Sequence, residues 1–286
     1  MSQQQKYREY FYFTISQDNE QDVQAIVEPY QFDRMHDCEA WNKDQISDDG
    51  TQQFQQLCIR FNVDDCQNDV QQLLHWFARL KHNTEILNLP QTFIRTLHLV
   101  THGANTQNAG FHLDINLLRG LSQLNAEFHV HSYLDQDDGH DSPYAQSIKT
   151  IEKSKPCSEY AYFSIWSKLS AHDLQQLFPE LTFEVCFDQG VKPETNRQAK
   201  HQNSLIKLYS RLDRENAKLN EHIADVLLQL QPHQSTLKQL FFDTRYSLSL
   251  NATGHLENPH HRLVSASNIQ QLFALGLSLD VDYYFA

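Results

Sequence analysis

The chain has 286 residues, 40% of them hydrophobic, and a net charge of -13, which is apolar material for two cores of ordinary domain size. Such an excess of acid excludes a nucleic-acid partner, because phosphate backbones require a basic face. No apolar stretch reaches membrane-spanning length and residues 1–13 lack the apolar run of a signal peptide, so a cytoplasmic protein without a membrane partner is expected.

The first element is a strand at 9–15, EYFYFTI, with Phe11, Phe13 and Ile15 alternating against Tyr10 and Tyr12. Period two with aromatic and β-branched residues is the strand pattern. Asn19 and Asp22 then sit three positions apart before Val23, Ile26 and Val27, which reads as a capped helix with one buried stripe. A short strand at 30–36 and a polar, acidic loop at 37–51 follow, the loop carrying Trp41 among its charges. Strand character returns at 53–63. Asp64 or Asp65 caps a longer helix with Val70, Leu73, Leu74, Phe77 and Leu80 on one face. A strand from Thr92, an extended piece at 111–115, a helix with Leu118, Leu121 and Leu124, and a closing strand from Glu127 complete the first half. Residues 135–156, opening with DQDDGHDSP, read as a linker.

The second half restates this plan. EYAYFSI at 159–165 copies the opening strand, and Ser170 and Asp173 match the capping pair before Leu174, Leu177 and Phe178. Strands are expected at 182–187, 205–212 and 241–250, and helices at 214–230, with Ile223, Val226, Leu227 and Leu230 as its stripe, and at 267–275. A closing strand at 277–285 follows. Leu97, Leu99 and Gly103 match Leu248, Leu250 and Gly254, and the last helix of each half stops at Asn125 or Gly276, the residue types of left-handed helix ends. An offset of 150 in the opening strand and 151 from the first helix to the end implies duplication. The expected fold is therefore α+β: two homologous domains, 1–134 and 157–286, each an antiparallel or mixed sheet with helices packed on one face.

An opening strand with F-x-I-S (Phe13 to Ser16), a D-[VL]-x-x-[IL] helix, and a closing strand of L-D-[IV]-D-x-Y type, here Leu279, Asp280, Val281, Asp282, Tyr283 and Tyr284, resemble the bacterial family known as domain of unknown function 4279. The resemblance implies a tandem member, although the first half has His129 and His131 in place of the two aspartates. It brings no residue roles. Small cytosolic families of this kind suggest, by analogy alone, service as antitoxin or immunity proteins.

Chemical signatures are scarce. Five cysteines form no C-x-x-C pair and are odd in number, so reduced, mostly packed thiols are expected. The chain has no glycine-rich phosphate loop and no G-x-S-x-G elbow. Ser170 beside His172 is accounted for by capping. His129 and His131 project from one face of a strand, with His98, His102 and His112 in neighbouring elements, so a metal-dependent enzyme built on that strand is the alternative to a non-catalytic protein with no cofactor.

The acidity is uneven, with 9 basic against 17 acidic residues up to Leu134 and 11 against 14 after Pro156. A net acidic protein is steered toward basic partners, and nuclease toxins are basic. The expected function is a protein-binding module, an immunity protein that neutralises a bacterial toxin. Asp37, Glu39, Asp44, Asp48 and Asp49 would supply attraction and Trp41 the buried anchor. A regulatory or ligand-sensing protein working through a cleft between the copies is a third expectation. The composition carries no information on oligomeric state.

Overall fold

The computed structural model describes residues 8–17, 38–46, 52–61, 93–103, 108–134, 158–191, 201–256 and 262–285. The helices expected around Val23 and around Leu73 and Leu74, and the strand expected at 30–36, lie outside these residues. The described chain is a mixed α+β structure with two six-stranded sheets.

In the first sheet, β1 (Arg8–Gln17) lies near the middle and pairs antiparallel with β3 (Gln52–Phe61) on one side and β4 (Ile94–Gly103) on the other. Phe13 and Ile15 are fully buried and Phe11 nearly so, as their alternation requires. β6 (Glu127–Leu134) runs parallel to β4, and β2 (Cys38–Ile46) pairs antiparallel with β3 as the border strand.

In the second sheet, β7 (Ser158–Ser167) lies between β9 (Ser204–Tyr209) and β10 (Tyr246–Leu256), antiparallel to both, and β8 (Glu184–Phe187) closes one edge. β12 (Ser278–Phe285) is parallel to β10. Ala161, Phe163 and Ile165 are fully buried.

The outermost strand of each sheet comes from the other half of the sequence. β5 (Asn108–Leu113) pairs antiparallel with β12 in the second sheet, Leu113 opposite Leu279 and Phe111 opposite Val281. β11 (Arg262–Val264) pairs antiparallel with β6 in the first, Val264 opposite Phe128 and Arg262 opposite Val130. Accordingly, one compact unit comprises Met1–Thr106, Arg119–His140 and Pro259–Gln270, and the other Gln107–Leu118, Asp141–Asn258 and Gln271–Ala286.

Five α-helices are described: α1 (Ile115–Leu124), α2 (Ala171–Gln176), α3 (Leu219–Leu230), α4 (Gln234–Phe241) and α5 (Ala266–Leu275). Ser170 caps α2 as its sequence implies: the Asp173 N–H donates to Ser170 Oγ at 3.1 Å, and that hydroxyl donates to the Asp173 carboxylate at 2.7 Å. Asp114 caps α1 by accepting from the N–H groups of Asn116 and Leu117 at 2.9 and 2.7 Å. The stripe of α3 is buried and packs on β7 and β10.

Several expected boundaries move, among them the strand expected at 205–212, which ends at Tyr209. Residues 214–218 form turns before α3 begins at Leu219. The strand expected at 241–250 begins only at Tyr246, because 234–241 is helical. Pro232 sits in the 3-10 turn Gln231–His233, where its missing N–H costs nothing, and Leu237 and Leu240, three residues apart, bury the next turn of helix.

Candidate functional site

The acidic stretch expected as a loop is largely a strand. Cys38–Ile46 pairs with β3 along its length, Glu39 opposite Arg60, Trp41 opposite Cys58 and Asp44 opposite Gln55, with a register shift at Gln45/Ile46. A border strand tolerates this polar composition because one of its edges needs no partner strand. Glu39, Trp41 and Asp44 thus lie on the sheet border, whereas Asp37, Asp48 and Asp49 lie outside the described residues. Cys186, on β8, is exposed rather than packed, and it is a free thiol.

The histidines assemble differently from one another. In β4 and β6, the apolar residues Leu97, Leu99, Phe128 and Val130 face the core, so His98, His129 and His131 occupy the opposite face. His98 and His129 are register partners across the parallel pair. His98 Nδ1 is 2.8 Å from His131 Nε2, and His98 Nε2 is 2.9 Å from Thr14 Oγ1 on β1. His129 Nε2 approaches Glu127 at 3.3 Å. One ring nitrogen from each of the three histidines lies within 4.8 Å of the others. His98 and His131 are buried, and His129 keeps 26% of its side-chain surface.

Sequence reasoning singled out His129 and His131 and placed His98 only nearby, since nothing in the sequence says which strands become neighbours. His112 does not join them: it pairs with Asp280 at 2.6 Å across β5 and β12. Its neighbour Gly110 leaves room for that edge, because a Cβ there would come within 2.9 Å of Asp282 Oδ1 and 3.0 Å of the Val281 carbonyl.

The same face of the second sheet is a groove of about 540 Å³ lined by Tyr162, Ser164, Trp166, Lys207, Ser249 and Asn251, among others. Trp166 stands 44% exposed and meets the edge of Phe187 at 5.2 Å. Tyr162 packs against Tyr209 at 5.2 Å and carries the Lys207 ammonium 4.2 Å above its ring. Burial pushes the Tyr209 phenol above its ordinary pKa, outweighing the opposing pull of Lys207. Ser164 Oγ is 3.0 Å from Ser249 Oγ and accepts from Asn251 Nδ2 at 3.1 Å. These hydroxyls are engaged by one another and by the Asn251 amide.

Fold and site together define a two-sheet α+β protein with a histidine cluster on one sheet and an aromatic, hydroxyl-lined groove on the other. Residues 156–286 match the family described as Domain of unknown function (DUF4279). No curated protein matches the chain. No described helix is long and apolar enough to cross a membrane.

Proposed function

We propose that this is a non-catalytic binding protein whose partner is a basic protein, serving as an immunity protein that covers a toxin domain. The observation that carries the proposal is the border strand β2, which brings Glu39, Trp41 and Asp44 onto a sheet edge. A border strand offers main-chain groups to an incoming extended segment, side chains along it supply selectivity, and the net charge of -13 steers basic partners toward it. A pull-down from the producing cell, with binding kinetics of the captured partner, tests this. Trp41→Ala should cost about 2 kcal/mol or more of affinity, and charge reversal at Asp48 and Asp49 should slow association, most strongly at low salt. A partner bound equally well by all these variants would place the interface elsewhere.

The groove of the second sheet favours a second reading, that this domain senses a small molecule with a flat face to stack on Trp166 and hydroxyls to meet Ser164, Ser249 and Asn251. A thermal-shift panel of sugars and aromatic acids checks it. A stabilising compound whose effect survives Trp166→Ala would remove the groove from consideration.

The proposal also includes an origin by duplication, with residues 1–134 as a second copy of the matched domain. It is supported by the offset of 151 that relates Leu97 to Leu248 and Leu118 to Ile269. That offset also relates the pairs Phe128 with Val264 and Leu279 with Leu113, which hold the outermost strands.

A further inference from the structure

The cluster on β4 and β6 has a use that neither binding reading requires. Its three candidate donors are imidazole nitrogens, the type preferred by zinc, cobalt, nickel and copper over magnesium or calcium. Zinc binds imidazole at about 2.0–2.1 Å, so two nitrogens on a tetrahedral ion stand about 3.3 Å apart. The contact between His98 Nδ1 and His131 Nε2 is 2.8 Å, held by one proton between two ring nitrogens, and needs to open by only about half an ångström. The longest separation in the set is at most 4.8 Å, and His129, the most accessible of the three, closes it by turning about its side-chain bonds. The Cα positions stay fixed, since His98 and His129 are neighbours on paired strands inside a six-stranded sheet.

The surroundings already hold the rings in a binding orientation. For His98 to offer the Nδ1 lone pair, its proton must sit on Nε2, and Thr14 Oγ1 lies 2.9 Å from that nitrogen as acceptor. Glu127 is the carboxylate beside His129, at 3.3 Å from Nε2, an arrangement that orients a ligand and raises its basicity. A purely structural stack of histidines accounts for the ring contacts, at centroid distances of 5.0 and 5.2 Å. A metal site would in addition use the separation of no more than 4.8 Å between one nitrogen of each ring.

We infer that His98, His129 and His131 bind one zinc-class divalent ion, with Thr14 as a positioning residue and the fourth coordination position left to water or to a donor from a partner. The inference stands apart from the binding proposal, since it uses none of the residues of β2 or of the groove.

The test uses the full chain, stripped with a chelator, dialysed and titrated with zinc chloride or magnesium chloride, with elemental analysis after gel filtration. One zinc per chain and no retained magnesium are expected. His129→Gln should weaken zinc binding by more than about 100-fold, beyond the 10–100-fold that loss of an outer hydrogen bond costs, and Thr14→Val should fall within that lower range. Thr14→Ser should restore affinity, while His112→Gln, which breaks the pair with Asp280, should leave it unchanged. A structural role for Thr14 would alter the melting temperature of the metal-free protein without this selective loss. If His98→Gln and His131→Gln fail to fold, His129→Gln decides the matter, its folding checked by circular dichroism. A chain that retains no zinc, or a folded His129→Gln variant that retains it as well as the parent, overturns the inference.

Discussion

At the residue scale, two buried or partly buried groups tie stability to pH. His222 is fully buried in α3, with Nδ1 2.9 Å from Ser210 Oγ, and burial holds its pKa below the ordinary histidine value despite Glu159 and Asp225 nearby. The unfolded chain takes up a proton near pH 6.5 and the folded one resists it, so stability falls as pH drops below about 6.5 toward the folded value. Thermal melts of the parent and of His222→Gln between pH 7.5 and 5 should show the steeper loss in the parent, and equal slopes would remove His222 from this role. Asp188 shifts downward because the Ala171 N–H, the Ser204 hydroxyl and the Gln189 N–H all donate to it, at 2.7, 2.8 and 2.8 Å. Its contribution is complete above about pH 4 and is lost as pH falls below that. Asp188→Ala should cost about 1–2 kcal/mol in urea denaturation at pH 7, because it frees the first N–H of α2 and takes one partner from the Ser204 hydroxyl, which keeps Leu169 and Gln189.

At the element scale, the ends of α1 and α5 show how one residue stops a helix. Asn125 has φ +50° and Gly276 φ +73°. The following residues, Ala126 and Leu277, donate back to Leu121 and Leu272 at 2.9 and 3.0 Å, while Asn125 and Gly276 donate to Ser122 and Phe273 at 3.1 Å each. This double reverse bond satisfies carbonyls the helix leaves open. In Gly276→Ala the new Cβ would find Phe241 at 3.6 Å, an ordinary contact. Its cost is therefore the left-handed backbone, about 1–2 kcal/mol, and Asn125→Gly should be neutral or stabilising. Chemical denaturation of the two variants checks both signs. These stops were legible in sequence because Asn and Gly are read locally. The helix 234–241 was not, since Leu237 and Leu240 make too short a stripe to distinguish before their packing is known. The strand 38–46 was missed because its acidic composition reads as loop, and only pairing with β3 makes it a strand.

At the scale of the whole molecule, β5 and β11 decide what each sheet needs to be complete. Leu113 is buried in the second sheet, and its strand covers the edge of β12. Residues 156–286 expressed alone lack that strand and should melt below the full chain, with an exposed β12 edge prone to self-pairing. Adding a peptide of residues 107–118 should raise the melting temperature, and a fragment as stable as the parent would show that β5 contributes nothing. Local pattern suffices for the strands β1, β7 and β12, the burial of Phe13, Ile15, Phe163, Val226 and Leu227, the cap at Ser170 and the stops at Asn125 and Gly276. Each of these depends on period, or on residue types within four positions, and such signals survive in one dimension. Tertiary structure alone decided that β5 joins β12, that β11 joins β6, and that His98 meets His129 and His131 while His112 goes to Asp280. Alternation tells a strand which face to bury but not which edge to join, and edges chosen across the chain bring distant side chains together.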